Sequence, residues 1–335
     1  MKKILALLIC SPLFFLSCQN EDVVTTPLAD DLDQTVAITQ IDFSPQVKEQ
    51  IANFKQKLTK DNALARTDEE LVEYISSINA SLADYGVQLE KAEFYSADGA
   101  GQTVFFSDRG NKQLVSDYVP NDPRNAVPGT AVPYLIDGTQ AVTTSGLNTI
   151  DPINTVMSTW SSVTCSDGLE ITDLGLVPFD AGFVQFLVGF GGVNGFFPGI
   201  ILHAGVLPPV FFNAIAPGGG SNILGVCFTF TWIEDINEDG TPDVAIKEIY
   251  YNDAFNWQDV VATGSGVDFE TVALHEVGHG LSQAHFGKVS RTEANGKIHF
   301  SPRALMNAGY SGVNRVVEKT DEAGHCSNWA NWPNN

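Results

Sequence analysis

The chain has 335 residues, with 18 Lys+Arg against 40 Asp+Glu and a formal net charge of −22. Its 44% apolar and 10% aromatic residues are enough to bury a core, which excludes a long disordered chain. The negative field, with no Lys/Arg stripe to offset it, argues against nucleic acid as a partner and against a cationic membrane-surface helix.

Met1-Lys2-Lys3, the apolar run Ile4–Leu16 and Ser17-Cys18 read as a secretory signal over residues 1–17. The run is too short to span a bilayer. The context of Cys18 resembles a bacterial lipoprotein signal. That implies lipid attachment at Cys18 and a place at the outer membrane or cell surface; the other reading is plain secretion. Membrane contact is expected only through that anchor. Residues 18–40 read as an acidic tether.

Residues 41–117 read as a small α+β unit, either a pro-domain or an accessory domain. Val47, Ile51, Phe54 and Leu58 recur at helical spacing, as do Leu71, Ile75, Ile78 and Leu82. Thr67-Asp68-Glu69-Glu70 is a capping-box sequence for the second helix. Val87–Tyr95 and Thr103–Phe106 read as strands around the turn Ala97-Asp98-Gly99. A Pro-rich linker, 118–130, follows. In residues 131–335, Val132–Ile136 reads as a strand and Ile150–Val163 as a helix. From Ala181 to Ile233 there is no charged Asp, Glu, Lys or Arg. Glycines and prolines break every stretch there that is long enough to cross a membrane, so buried strands joined by glycine-rich loops are expected.

Cys165, Cys227 and Cys326 lie beyond the tether. Three is odd, so one disulfide at most and one buried thiol are expected, with the pairing open.

The chemistry concentrates in residues 268–285. Asp268 can cap a helix carrying His275-Glu276-Val277-Gly278-His279. Two histidines four apart sit about 6 Å apart on one helix face, and both imidazoles can reach one metal ion. Glu276 is rotated about 100° from His275, outside the ligand set and beside the open position, where it can take a proton from water on the metal. A third ligand is required, and His285 is the candidate. Six helical steps would carry it to the wrong face, so the helix must end after His279 and the chain must turn back. His203, His299 and His325 are ordinary core or surface histidines in this reading, with His299 in reserve as a ligand.

The stretch His275–His285 resembles the zinc signature of the metzincin metalloproteases, most closely the matrixins. Ala304-Leu305-Met306-Asn307 resembles the Met-turn below the metzincin zinc site. Glu248–Trp257 resembles the matrixin edge strand and the turn after it, and Val316–Trp332 the closing helix. The turning glycine three residues after the second histidine is Ser282 here. The resemblance implies an α+β fold: a metzincin-like catalytic domain, with a twisted mixed sheet packed on helices and the zinc helix at the cleft, preceded by a small α+β N-terminal domain. It implies catalytic Zn2+ on His275, His279 and His285, Glu276 as general base, and structural roles at the site for Met306 and Tyr310. It implies a monomeric endopeptidase for protein or peptide substrates, with the peptide antiparallel to the strand near Ile246–Tyr250. The cysteine that keeps matrixin precursors latent has no counterpart, since there is no Cys between residues 19 and 164. An aspartate such as Asp98 or Asp108 takes that role in this reading. The competing function is a surface-anchored, non-catalytic or weakly catalytic binding protein of the same fold.

Asp235-Ile236-Asn237-Glu238-Asp239-Gly240-Thr241-Pro242-Asp243 has oxygen donors at alternating positions and glycine at the sixth. Asp235, Asn237, Asp239, Thr241 and Asp243 are candidate Ca2+ ligands in a hairpin loop. A solvated acidic turn is the other reading.

Overall fold

The computed structural model describes residues 36–60, 68–107 and 115–334. The signal, Cys18, Thr67 and Asp108 lie outside them. The fold is α+β, built on one mixed seven-stranded sheet. Its strands are β1 (Val87–Ser96), β2 (Thr103–Phe105), β3 (Val132–Asp137), β4 (Ile171–Val177), β5 (Ile201–Leu207), β6 (Ile223–Trp232) and β7 (Val244–Asn252), in the order β2-β1-β6-β7-β5-β3-β4. The pairs β7–β5, β5–β3 and β3–β4 are parallel; β2–β1, β1–β6 and β6–β7 are antiparallel.

Helices cover both faces. One face carries α1 (Pro45–Lys60), α2 (Asp68–Leu82) and two short helices, α4 (Phe183–Leu187) and α5 (Pro209–Ile215). The other carries α3 (Ile150–Ser161), α6 (Phe269–Gly280) and α7 (Lys319–Trp329). The central strands are therefore buried along their whole length, polar side chains such as Lys247, Glu248 and Asn252 included, as a sheet covered on both sides requires. This is why β5, β6 and β7 show no polar alternation. The charge-free region holds strands β5 and β6, and also α4, α5 and a turn of helix at Gly219–Asn222 that the glycine-rich composition concealed.

Three expectations change. Residues 36–40 are not a free tether: Val36 and Ile38 are buried, and Thr39–Gln40 pairs antiparallel with Gly195–Phe196. The described residues of 41–107 share the core of the rest of the chain. β1 is an interior strand, paired to β6 from Val87 to Ser96, and Leu89, Ala92 and Phe94 join the same apolar cluster as Phe228, Phe230 and Ile246. The strand near Ile246–Tyr250 is not an edge. β7 is hydrogen-bonded to β6 on one side and β5 on the other, so it has no free backbone for a peptide. Apolar runs of equal length cannot distinguish edge from centre; pairing partners decide it.

Cys165 and Cys326 form the disulfide, tying α7 to the turn after α3, and Cys227 is the buried free thiol. Among the described residues no helix is long and apolar enough to cross a membrane.

Candidate metal centre

α6 starts where Asp268 Oδ2 accepts from Thr271 N at 3.0 Å. Arg315 Nε lies 2.9 Å from the same oxygen and holds this buried carboxylate in its charged form; burial opposes, but Arg315 and Thr271 lower its pKa. The cap orients a helix that is buried almost throughout. Gly278 faces Met306: a Cβ there would meet Met306 Sδ at 2.4 Å, so the glycine lets the helix settle on this methionine without displacing its side chain. Leu305 N and Met306 N donate to the Asp321 carboxylate, both at 3.0 Å, which fixes the turn beneath the helix.

The helix ends as the histidine spacing requires. Ser282 N donates to His279 O at 2.9 Å and Gln283 N to Gly278 O at 2.9 Å, the paired bonds of a Schellman cap. Ser282 occupies the left-handed position with φ 64°. A side chain there costs about 1–2 kcal/mol. Ser282→Gly is therefore expected to raise stability by about 1 kcal/mol, read as a higher denaturant midpoint. A lower midpoint would show that the serine is held by something other than this turn.

The turn brings His285 back to His275 and His279. One ring nitrogen from each lies within 4.8 Å of the other two. The Nε2 atoms of His275 and His279 are 3.1 Å apart. Two nitrogens on one tetrahedral ion at about 2.0–2.1 Å stand roughly 3.3 Å apart. His275 Nδ1–H donates to Leu305 O at 2.8 Å and His279 Nδ1–H to Gln283 O at 2.6 Å. Carbonyls only accept, so both Nε2 atoms present lone pairs to the centre. His285 Nε2 is buried and has no partner. Burial lowers all three imidazoles to about 3, which keeps the rings neutral and available as ligands. Orphaned lone pairs from three neutral imidazoles fit a divalent transition ion and leave one position open.

Glu276 lies beside this centre, fully buried, with neither carboxylate oxygen hydrogen-bonded. Burial, and then Glu93, push its pKa well above the usual range. It packs against β6 at Gly225, where a Cβ would stand 2.6 Å from Glu276 Oε1. That glycine clears the space for the carboxylate.

The centre is closed by β1. Tyr95 stacks on His275, ring centroids 3.8 Å apart and 11° between planes. Glu93 Oε1 lies 3.5 Å from His279 Nδ1. Lys91 Nζ is 2.9 Å from Glu93 Oε2 in a buried charge contact, yet neither Glu93 oxygen accepts an aligned hydrogen bond. Burial would raise this carboxyl, but His279, Lys91 and Lys247 outweigh it and hold it to about 2. Thr103 Oγ1 on β2 is 3.5 Å from His285 Nδ1. The acid facing the histidines is thus Glu93. Asp98 lies in the exposed β1–β2 turn, where its N–H donates to Asn222 Oδ1 at 3.2 Å. Sequence motifs point to none of Glu93, Tyr95 and Gly225; the one signal is Lys91, Glu93 and Tyr95 alternating on one face of Val87–Ser96.

The other singled-out residues have local roles. Tyr310 OH accepts from Asp268 N at 3.1 Å, so it supports the helix cap. His299 pairs with Thr292 at 2.9 Å, His203 with Tyr251 at 3.1 Å and His325 with Ser166 at 2.8 Å, so none is the third member of the triad. In the loop Asp235–Asp243, Asp235 accepts from Gly240 N at 2.8 Å, Asp239 from Thr241 N at 2.7 Å and Asp243 from Ile236 N at 2.9 Å. Arg124 also engages Asp243. Asp117 joins the loop through Val244 N, which donates to Asp117 O at 2.7 Å. Burial, then Asp239 and Asp243, push its carboxyl up to about 7. One oxygen each of Asp117, Asp235 and Asp243 is buried without a partner. Among the described residues, however, no three of these carboxylates converge within 4.8 Å as the histidines do.

No protein-family model matches the chain, and no curated protein matches it either.

Proposed function

We propose that the chain is an exported zinc-dependent endopeptidase with a metzincin-like catalytic fold, held latent by its own N-terminal strand. The convergence of three neutral imidazoles on one point, beside an unpartnered buried glutamate, carries this reading. His275, His279 and His285 hold the ion. When bound, zinc polarises a carbonyl and acidifies water. Glu276 takes the proton of the attacking water and returns it to the leaving amine, so one peptide bond and one water become a carboxylate and an amine. Leu305 O and Gln283 O keep the first two rings in the ligating tautomer. Tyr310 acts on the site only through the Asp268 cap.

Residues 36–107 serve as the latency segment, with β1 across the histidines and Glu93 as the acid facing them. Export through the signal, with a lipid anchor at Cys18, belongs to the same reading. So does a calcium ion in the loop Asp235–Asp243, supported by the unpartnered oxygens there.

Digestion of casein and a peptide library by the zinc-loaded chain tests the function. Cleavage that stops with a chelator and returns with zinc is expected. A chain that holds zinc yet cuts nothing, even after its N-terminal segment is cleaved off, would instead be the non-catalytic binding protein.

A further inference from the structure

The reversal that returns His285 to the centre is held from outside. Four consecutive carbonyls, from His279 to Ser282, each accept from a distant side chain. Lys247 Nζ donates to His279 O at 3.1 Å and Tyr118 OH to Gly280 O at 3.1 Å. Trp329 Nε1 donates to Leu281 O at 3.0 Å and Asn328 Nδ2 to Ser282 O at 3.1 Å. The residues bearing these carbonyls are buried, so bulk water does not serve them. The donors come from β7, from the segment before β3 and from α7. Lys247 is a fully buried lysine on a central strand, its ammonium between Thr229 Oγ1 at 2.9 Å and the His279 carbonyl. A buried ammonium is costly unless negative charge meets it, and here the C-terminal end of the α6 dipole supplies that. Movement of this turn reaches two ligands. Gln283 O orients the His279 ring, and His285 stands two residues further on. The local sequence does not favour the turn, since Ser282 takes the left-handed position that suits glycine.

We propose that Lys247, Tyr118, Asn328 and Trp329 are positioning residues of the metal centre. Their donors set where the chain turns after α6, and so where His285 stands and how His279 faces the ion. This rests on the zinc reading and adds residues that the ligand motif does not contain.

The test uses the full chain as wild type, Lys247→Met, Tyr118→Phe and Ile215→Val. Zinc affinity is measured by competition with a chromophoric chelator, beside the visible spectrum of the cobalt-loaded protein and the denaturant midpoint. Methionine matches lysine in length and phenylalanine keeps the tyrosine ring, but neither can donate. Both variants are expected to weaken zinc binding roughly 10- to 100-fold, the range for groups that orient metal ligands, and to shift the cobalt bands. Ile215→Val trims the core on the other face of the sheet. It is expected to lower the midpoint and leave affinity and spectrum unchanged. Wild-type affinity and spectrum in both donor variants overturn the inference. An equal loss in Ile215→Val also overturns it, since the effect is then general destabilisation. Should Lys247→Met fail to fold, Tyr118→Phe, which removes a single oxygen, decides alone. Wild-type chain that binds neither zinc nor cobalt removes the zinc reading itself. Hydrogen exchange of residues 281–285 in the metal-free chain then decides whether the donors hold the turn: exchange roughly two- to tenfold faster in Tyr118→Phe supports it, and equal exchange overturns it.

Discussion

Glu276→Gln should leave metal bound and reduce peptide cleavage by about 10²–10⁴-fold, the range for loss of a positioned general base. Glu276 donates nothing to the ligand set: its neighbour His275 points at the centre from the same helix, while the glutamate lies against Gly225. The amide keeps the size of the carboxylate and cannot take a proton, so packing survives and proton transfer does not. Its effect belongs in kcat, with little change in KM. A variant retaining more than a tenth of the wild-type rate, with zinc still bound, would remove Glu276 from the proton path. A variant that loses zinc would show instead that the carboxylate holds the site together.

Cutting the backbone between β2 and Tyr118 should speed cleavage about 10- to 1,000-fold. A closed form favoured by a few kcal/mol leaves roughly 0.1–10% of molecules open, and the apparent rate scales with that fraction. β1 is a strong occupant. It is paired along its length to β6, its apolar face joins the core, and Tyr95 and Glu93 cover His275 and His279. The same rate before and after the cut would mean that substrate reaches the histidines past β1, and the latency would fail.

Local pattern carried the centre itself. The four-residue spacing of His275 and His279, the Asp268 cap and the need for a chain reversal before His285 are all helix geometry, and helix geometry is readable from a short window. Ser282 broke the expected residue type at the reversal but not the conformation, since the Schellman bonds of Ser282 and Gln283 secure it. What was not legible was long-range. Residues Val87–Tyr95 read as a strand in a separate unit because nothing in their alternation names β6, some 130 positions later, as the partner. The mistaken edge at Ile246–Tyr250 has the same origin. Glu93 escaped notice because a glutamate in an isolated strand looks solvent-facing; it becomes informative only when a second element buries it against imidazoles.

Metal content tests the central claim most directly. The chain purified without added metal or chelator, and the same chain with His285→Ala, are compared by elemental analysis after gel filtration. One zinc per wild-type chain is expected, and a large loss in the variant, since two ligands on one helix hold an ion far more weakly than three. Wild-type protein with no bound transition metal, even after zinc is supplied, would contradict the account, as would a variant that keeps its full complement.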